Sequence, residues 1–197
     1  MQYVRPIEFD SAEIRGDQGY KGKILYSGES CILIATQVPP GARGPENHVH
    51  PMDQLYFVTD GEVTIRLGEH EHTASANSAV FIPAGVPHHN WNDGGDPEAH
   101  LEILAPGSVG LQRLAEFTQS DDSRGLPYAV VAPHQERMLR LDGGMTVTPL
   151  IGRDRVSNNA LIYLGGLSAG AAGPSLHTHV FDQFYLVLDG LLSVQID

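Results

Sequence analysis

The sequence predicts an all-β protein of short strands, folded as a sandwich or small barrel. Three observations carry that prediction. Apolar residues make up 41% of the 197-residue chain, but 22 glycines and 13 prolines divide them into short runs, a composition suited to a turn-rich β fold. Most of those runs are β-branched or alternate in polarity, and Gly/Pro turn signals bound them. The chain also repeats part of itself. Cys31–Gly68 aligns with Ala160–Asp197 without a gap, matching at 12 of 38 positions. Those matches include His48, His50, Asp53, Gln54, Tyr56, Val58, Asp60 and Gly61. They gather at polar positions, which shared strand composition does not explain.

Each element follows from its local pattern. "SCILIATQV" and its counterpart "NALIYLGGL" are short apolar strands followed by turn residues. "QLYFVTDGEVTIRL" reads as strand, Asp-Gly turn, strand. "SAVFIPAGVPHHNWN" is a strand that ends in a Pro/Gly turn, and "HLEILAP" is another strand. "SVGLQRLAEFTQ" has a weak helical face of Val109, Leu111, Leu114 and Phe117. "SDDSRGLPYAVVAPHQER" reads as a connection. The expected organisation is a first unit over 1–120, a connection over 121–142 and a partial second unit over 143–197.

Composition narrows the function. A formal net charge of −12, with only 12 Lys and Arg, disfavours nucleic acid and anionic membranes as partners. No run approaches the roughly 20 apolar residues that span a bilayer. The opening "MQYVRPIEFD" has no apolar core of a signal peptide, so a cytoplasmic location is expected. Cys31 is the single cysteine, which excludes an internal disulfide and a thiolate metal cage.

The chemistry lies in the repeated stretch. Side chains at i, i+2 and i+4 of an extended segment share a face. His48, His50 and Gln54 therefore project together, with Tyr56 and Val58, and His177, His179, Gln183, Tyr185 and Val187 obey the same parity. Two imidazoles and an amide inside an apolar barrel would be costly unless satisfied, and a divalent cation with nitrogen and oxygen ligands satisfies them. "PAGVPHHNWN" offers a third imidazole, with His88, Asn90 and Asn92 on one face and His89 and Trp91 on the other. His88 is the expected third ligand, and His89 the rim or surface residue. "EHEH" at Glu69–His72 reads as a solvated strand end, and His134 is assigned no role. His100 and Glu102 alternate with Leu101 and Ile103, and the pattern does not decide which pair faces inward.

These residues resemble the motifs of the cupin superfamily. The first motif begins at Arg43 or Gly44, with Gly44 displaced by one, and runs through His48, His50, Gln54 and Gly61. The second runs through Pro83, Gly85, His88 and Asn92, with Asn77 in place of its first glycine. The likeness covers roughly residues 20–106, and its first half recurs near the C terminus. The resemblance implies a double-stranded β-helix, a jelly-roll-like barrel, followed by an incomplete second unit in the manner of a bicupin. It also implies that His48, His50 and His88 hold one divalent transition metal (Fe, Mn, Ni or Zn), with position 54 as the fourth ligand. The family usually has Glu there, whereas this chain has Gln, which coordinates through a neutral oxygen and takes no proton. The expectation is a site that leaves the cation its full charge, suited to Lewis-acid work, and that tolerates Gln54→Glu. Similar sites occur in cupin isomerases, cyclases and gentisate-type dioxygenases. The sensor domains of AraC-type regulators show a related pattern without metal.

The expected role is an enzyme acting on a small oxygen-rich or aromatic metabolite, a dioxygenase first and an isomerase or lyase second. Tyr56 is a candidate substrate contact, and the alternative is a non-catalytic small-molecule binding or sensing module. In the second unit, His177, His179 and Gln183 have no local counterpart of His88. That half-site is expected to be empty or weakly metallated, since tight structural sites usually have four protein ligands. Ala160–Asp197 is expected to pair with strands of the first barrel, of a second chain or of both, which makes a homodimer the expected assembly.

Overall fold

A computed structural model describes residues 4–109, 128–152 and 159–196. The described residues contain strands and short 3-10 turns but no α-helix. The core is a two-sheet barrel. Its larger sheet contains β1 (Ile14–Arg15), β2 (Lys21–Ser27), β3 (Ile32–Val38), β4 (Asp53–Asp60), β7 (Ala79–Ile82), β9 (Glu98–Ala105) and β10 (Ala129–Val131). Their order is β1-β2-β3-β9-β4-β7-β10. The smaller sheet is ordered β6-β5-β8, from β5 (Glu62–Leu67), β6 (His70–Ser75) and β8 (His88–Trp91). A third sheet, β11-β12-β13, holds β11 (Leu139–Leu141), β12 (Met145–Ile151) and β13 (Ile162–Leu167).

Alternation decides what each face of the large sheet meets. The even residues of β4 and β7 face the barrel interior. There Tyr56, Val58, Val80 and Ile82 pack with Val63, Ile65, Leu67 and Ala74 of the small sheet. The odd residues Leu55, Phe57, Ala79 and Phe81 face outward and are covered by Leu150, Ile151 and Ile162 of the third sheet. Both faces of β4 are thus buried, which explains why "QLYFV" reads as a nearly continuous apolar run rather than a clean alternation.

Three local readings differ from the expectation. Ala129–Val131, within the stretch read as a connection, is a strand paired with β7, because its short apolar run completes that edge of the large sheet. The stretch read as a helix falls largely on residues 110–127, outside the described residues. "QFYLVLDGLL" has the pattern of a hairpin but forms no strand. No described strand lies alongside to bond its backbone, and an isolated strand has little stability of its own. Its side chains are largely exposed, including Phe184, Tyr185, Val187 and Leu191. Leu186 is an exception and packs on the outer face of the large sheet. No helix among the described residues is long and apolar enough to cross a membrane.

Candidate metal centre

Backbone pairing builds the centre. The segment before β4 runs antiparallel to β8. The Gly41 N–H donates to Asn92 O (2.8 Å), Gly44 to Asn90 O (2.8 Å) and His48 to His88 O (3.0 Å), with His88 N–H returning to His48 O (2.9 Å). This bridge sets two motif histidines side by side. The approach is close at Gly44, where a Cβ would lie 2.4 Å from Asn90 Oδ1 and would force that side chain to move. The turn before His88 is fixed by Gly85, whose φ of +82° suits glycine and whose N–H donates to His50 O (2.9 Å). Asp53 accepts the Ala84 N–H with one carboxylate oxygen (3.0 Å) and Asn159 Nδ2 with the other (2.7 Å). Asn77 takes φ +69° at the first position of the second motif. Asn tolerates the left-handed region better than most residues, so the departure from glycine keeps the turn. Asn92 donates to Val38 O and Asp96 O, which makes it a brace for the loop and not a ligand.

His48, His50 and His88 come together, with ligand atoms all within 4.8 Å of one another. Their ring centroids are 4.3–4.8 Å apart. His48 Nδ1 lies 2.7 Å from Glu46 O and His88 Nδ1 2.9 Å from Val86 O. Each Nδ1 donates to its carbonyl, which leaves the Nε2 lone pair for the centre. His48 Nε2 is 3.2 Å from His50 Nε2. His88 Nε2 and Gln54 Oε1 are buried without a hydrogen-bond partner. Burial pushes all three imidazoles toward the neutral form. Desolvation lowers His48, lowers His88 well below its ordinary value and, with the charge of His48, brings His50 down to about 4. Unprotonated imidazoles, converging nitrogens and an orphaned amide oxygen fit a divalent transition metal. The three histidines can hold such an ion.

The sequence left the orientation of β9 open, and the structure resolves it. Glu98, His100 and Glu102 face the barrel interior and are buried, while Leu101 and Ile103 pack outward. His100 Nδ1 donates to Glu98 Oε1 (2.7 Å), and its Nε2 lies 3.4 Å from Glu102 Oε1, an ion pair without good hydrogen-bond alignment. Burial opposes a charge on His100, but Glu98 and Glu102 hold its pKa up to about 10. Burial would raise Glu102, yet the His100 imidazolium and the Thr36 hydroxyl bring it down to about 2. Glu102 accepts from Thr36 Oγ1 (2.6 Å), Tyr20 Oη (3.3 Å) and Gln54 Nε2 (2.8 Å). An anionic carboxylate therefore sits directly behind the Gln54 amide.

The remaining candidates fall elsewhere. Tyr56 lies on the inner face, but its ring packs on His100 at 4.4 Å. His89 stacks on Trp91 and hydrogen-bonds Pro45 O, away from the cluster. His70 is exposed, and the half-buried His72 meets Tyr128. His177 and His179 are exposed with Nε2 atoms 3.1 Å apart, and Gln183 is also exposed.

Residues 35–104, which contain His48, His50, Gln54, His88 and Glu102, match the family model described as a cupin domain. These residues form a cupin domain. No curated protein matches it. Among solved structures, this cupin is similar to a Pseudomonas aeruginosa protein named for glyoxylate induction, at 18% identity and a TM-score of 0.53. That match covers 69% of this chain and 51% of the other. It is also similar to the TT1209 protein of Thermus thermophilus (25% identity, TM-score 0.46, 53% of this chain and 98% of the other). A third is an RmlC-like cupin family protein with a double-stranded β-helix fold from Methanocaldococcus jannaschii (20% identity, TM-score 0.44, 51% and 94%). The first of these likenesses bears on the fold alone. The all-β double-stranded β-helix expected for this cupin is the architecture observed.

Proposed function

We propose that this cupin is a metal-dependent enzyme for a small oxygen-rich or aromatic metabolite, with His48, His50, Gln54 and His88 as the ligands. The observation that carries the reading is the pair of orphaned acceptors, His88 Nε2 and Gln54 Oε1, beside two further neutral imidazoles. Leaving such acceptors buried and unsatisfied costs on the order of 1–3 kcal/mol each, and a shared cation removes that cost. A bound Fe, Mn, Ni or Zn would supply Lewis-acid polarisation of a carbonyl or enolate, or redox chemistry with O2. The protein's part is to keep the imidazoles unprotonated by burial and to fix the tautomers of His48 and His88 through Glu46 O and Val86 O.

One observation favours the second reading, a binding or sensing module. The carboxylate nearest the centre, Glu102, is already engaged by Tyr20, Thr36, Gln54 and His100, so it is poorly placed to take a substrate proton. We also read the protein as a cytoplasmic homodimer whose exposed C-terminal apolar residues meet a second chain.

Metal analysis of protein purified without added metal tests the site. About one equivalent of a transition metal per chain is expected, and protein that neither retains nor rebinds one overturns the reading. An O2-uptake screen over catechols, gentisate-like acids and β-diketones then separates oxygenase chemistry from isomerase, lyase or sensing roles.

A further inference from the structure

We infer that Glu102 is the positioning residue of the centre: its carboxylate takes the Gln54 amide N–H, turns the amide oxygen toward the imidazoles, and supplies from the neighbouring strand the negative charge that a glutamate at position 54 would supply directly. This inference rests on the metal reading above.

The strand register makes the pairing unavoidable. Gln54 on β4 is opposite Leu104 on β9, and Tyr56 is opposite Glu102. Gln54 and Glu102 are thus diagonal neighbours on one face, within reach of long side chains. Gln54 Nε2 donates to Glu102 Oε2 at 2.8 Å. An amide has one oxygen and one nitrogen, so committing the nitrogen to an acceptor-only carboxylate fixes where the oxygen points. That oxygen, Gln54 Oε1, is the buried acceptor left without a partner. Glu102 cannot turn away easily, because Thr36, Tyr20 and His100 hold its other oxygen. The same geometry explains why position 54 is an amide. A carboxylate there would set two acceptors against each other at hydrogen-bond distance, with no proton between them. The inference therefore predicts a cost for Gln54→Glu, against the sequence-based expectation that the change is tolerated.

The test uses the full chain, stripped of metal, with Zn²⁺ titrated against a chelating indicator and thermal midpoints measured in parallel. Glu102→Gln should weaken Zn²⁺ binding by roughly 10–100-fold, the usual cost of losing an outer partner of a ligand. Gln54→Glu should lower the thermal midpoint of the stripped protein. The double variant Q54E/E102Q exchanges donor and acceptor. It should recover most of the Zn²⁺ affinity lost in E102Q and most of the midpoint lost in Q54E, a rescue that a merely structural role for Glu102 does not produce. Zn²⁺ affinity in E102Q equal to wild type overturns the inference, as does a double variant no better than the single ones. Should E102Q fail to fold, a Q54E midpoint at or above wild type overturns it instead. Wild-type protein that binds no Zn²⁺, Ni²⁺, Mn²⁺ or Fe²⁺ overturns the metal reading and this inference together, whereas wild-type binding with an indifferent E102Q overturns this inference alone.

Discussion

The two H-x-H segments are close copies in local geometry and opposites in surroundings. In the first, His48 Nε2 lies 3.2 Å from His50 Nε2 and His48 Nδ1 lies 2.7 Å from the carbonyl two residues earlier. In the second, the corresponding distances for His177 and His179 are 3.1 and 2.6 Å. Beyond the pair, everything differs. His50 has His88 across from it, and His179 has Phe181, stacked at 4.6 Å. Val58 is 0% exposed and Tyr56 2%, while their counterparts Val187 and Tyr185 are 51% and 59% exposed. A short stretch of backbone is therefore enough to preset a pair of imidazoles. The third nitrogen comes from β8 of the opposing sheet, which the first copy has and the described residues of the second do not.

The strongest way to break this comparison is to remove one imidazole from each copy. His50→Ala should abolish metal retention through gel filtration, and His179→Ala should leave the metal content unchanged. Elemental analysis of both variants decides, and a His50→Ala protein with a full equivalent of metal contradicts the assignment.

Burial of the first copy also predicts a pH signature in metal-free protein. His50 titrates at about 4 in the folded state against an ordinary 6.5, so the unfolded chain binds the extra proton first. Stability from this group is complete above about pH 6.5 and is lost as the pH falls toward 4. The loss is about 3 kcal/mol for His50 alone, and the lowered His48 and His88 act in the same direction. His100, raised to about 10, has the opposite sign: its contribution is complete below about pH 6.5 and is lost as the pH rises to 10. Denaturant midpoints measured between pH 4 and 10 should peak near 6.5, and a flat profile from 4 to 6.5 would show that the three imidazoles are not desolvated.

A gentler test exposes the unfilled face of the second copy. The wild-type chain should scatter light as a dimer at micromolar concentration, and Tyr185→Lys with Val187→Lys should shift it toward monomer. A wild-type monomer would sink the view that a second chain covers this face. The smallest effect is expected at the second amide. Gln183 is exposed, so Gln183→Glu should change stability by no more than about 0.5 kcal/mol, against a clear loss for Gln54→Glu.

The parity of His48, His50 and Gln54 and the Pro83–Gly85 turn were legible because strand period and turn chemistry are local. Glu102 was not legible. A polar pair alternating with Leu101 and Ile103 ordinarily points to water, but here the outer face of the large sheet is covered by Leu150, Ile151 and Ile162. That covering comes from distant sequence, and it sends the polar pair inward. "QFYLVL" shows the converse case, a clear strand pattern without a neighbour to pair it.

Asp53 gives these two regions a shared currency. One of its oxygens holds the turn that aims His88, and the other holds Asn159, at the threshold of the second unit. Drawing Asn159 away would remove one of the two hydrogen bonds that hold that carboxylate beside the turn. By thermodynamic reciprocity, whatever stiffens the turn tightens the grip on Asn159. On the metal reading, occupancy of the first site and the hold on Asn159 would be linked quantities, and each could be read as a titration of the other.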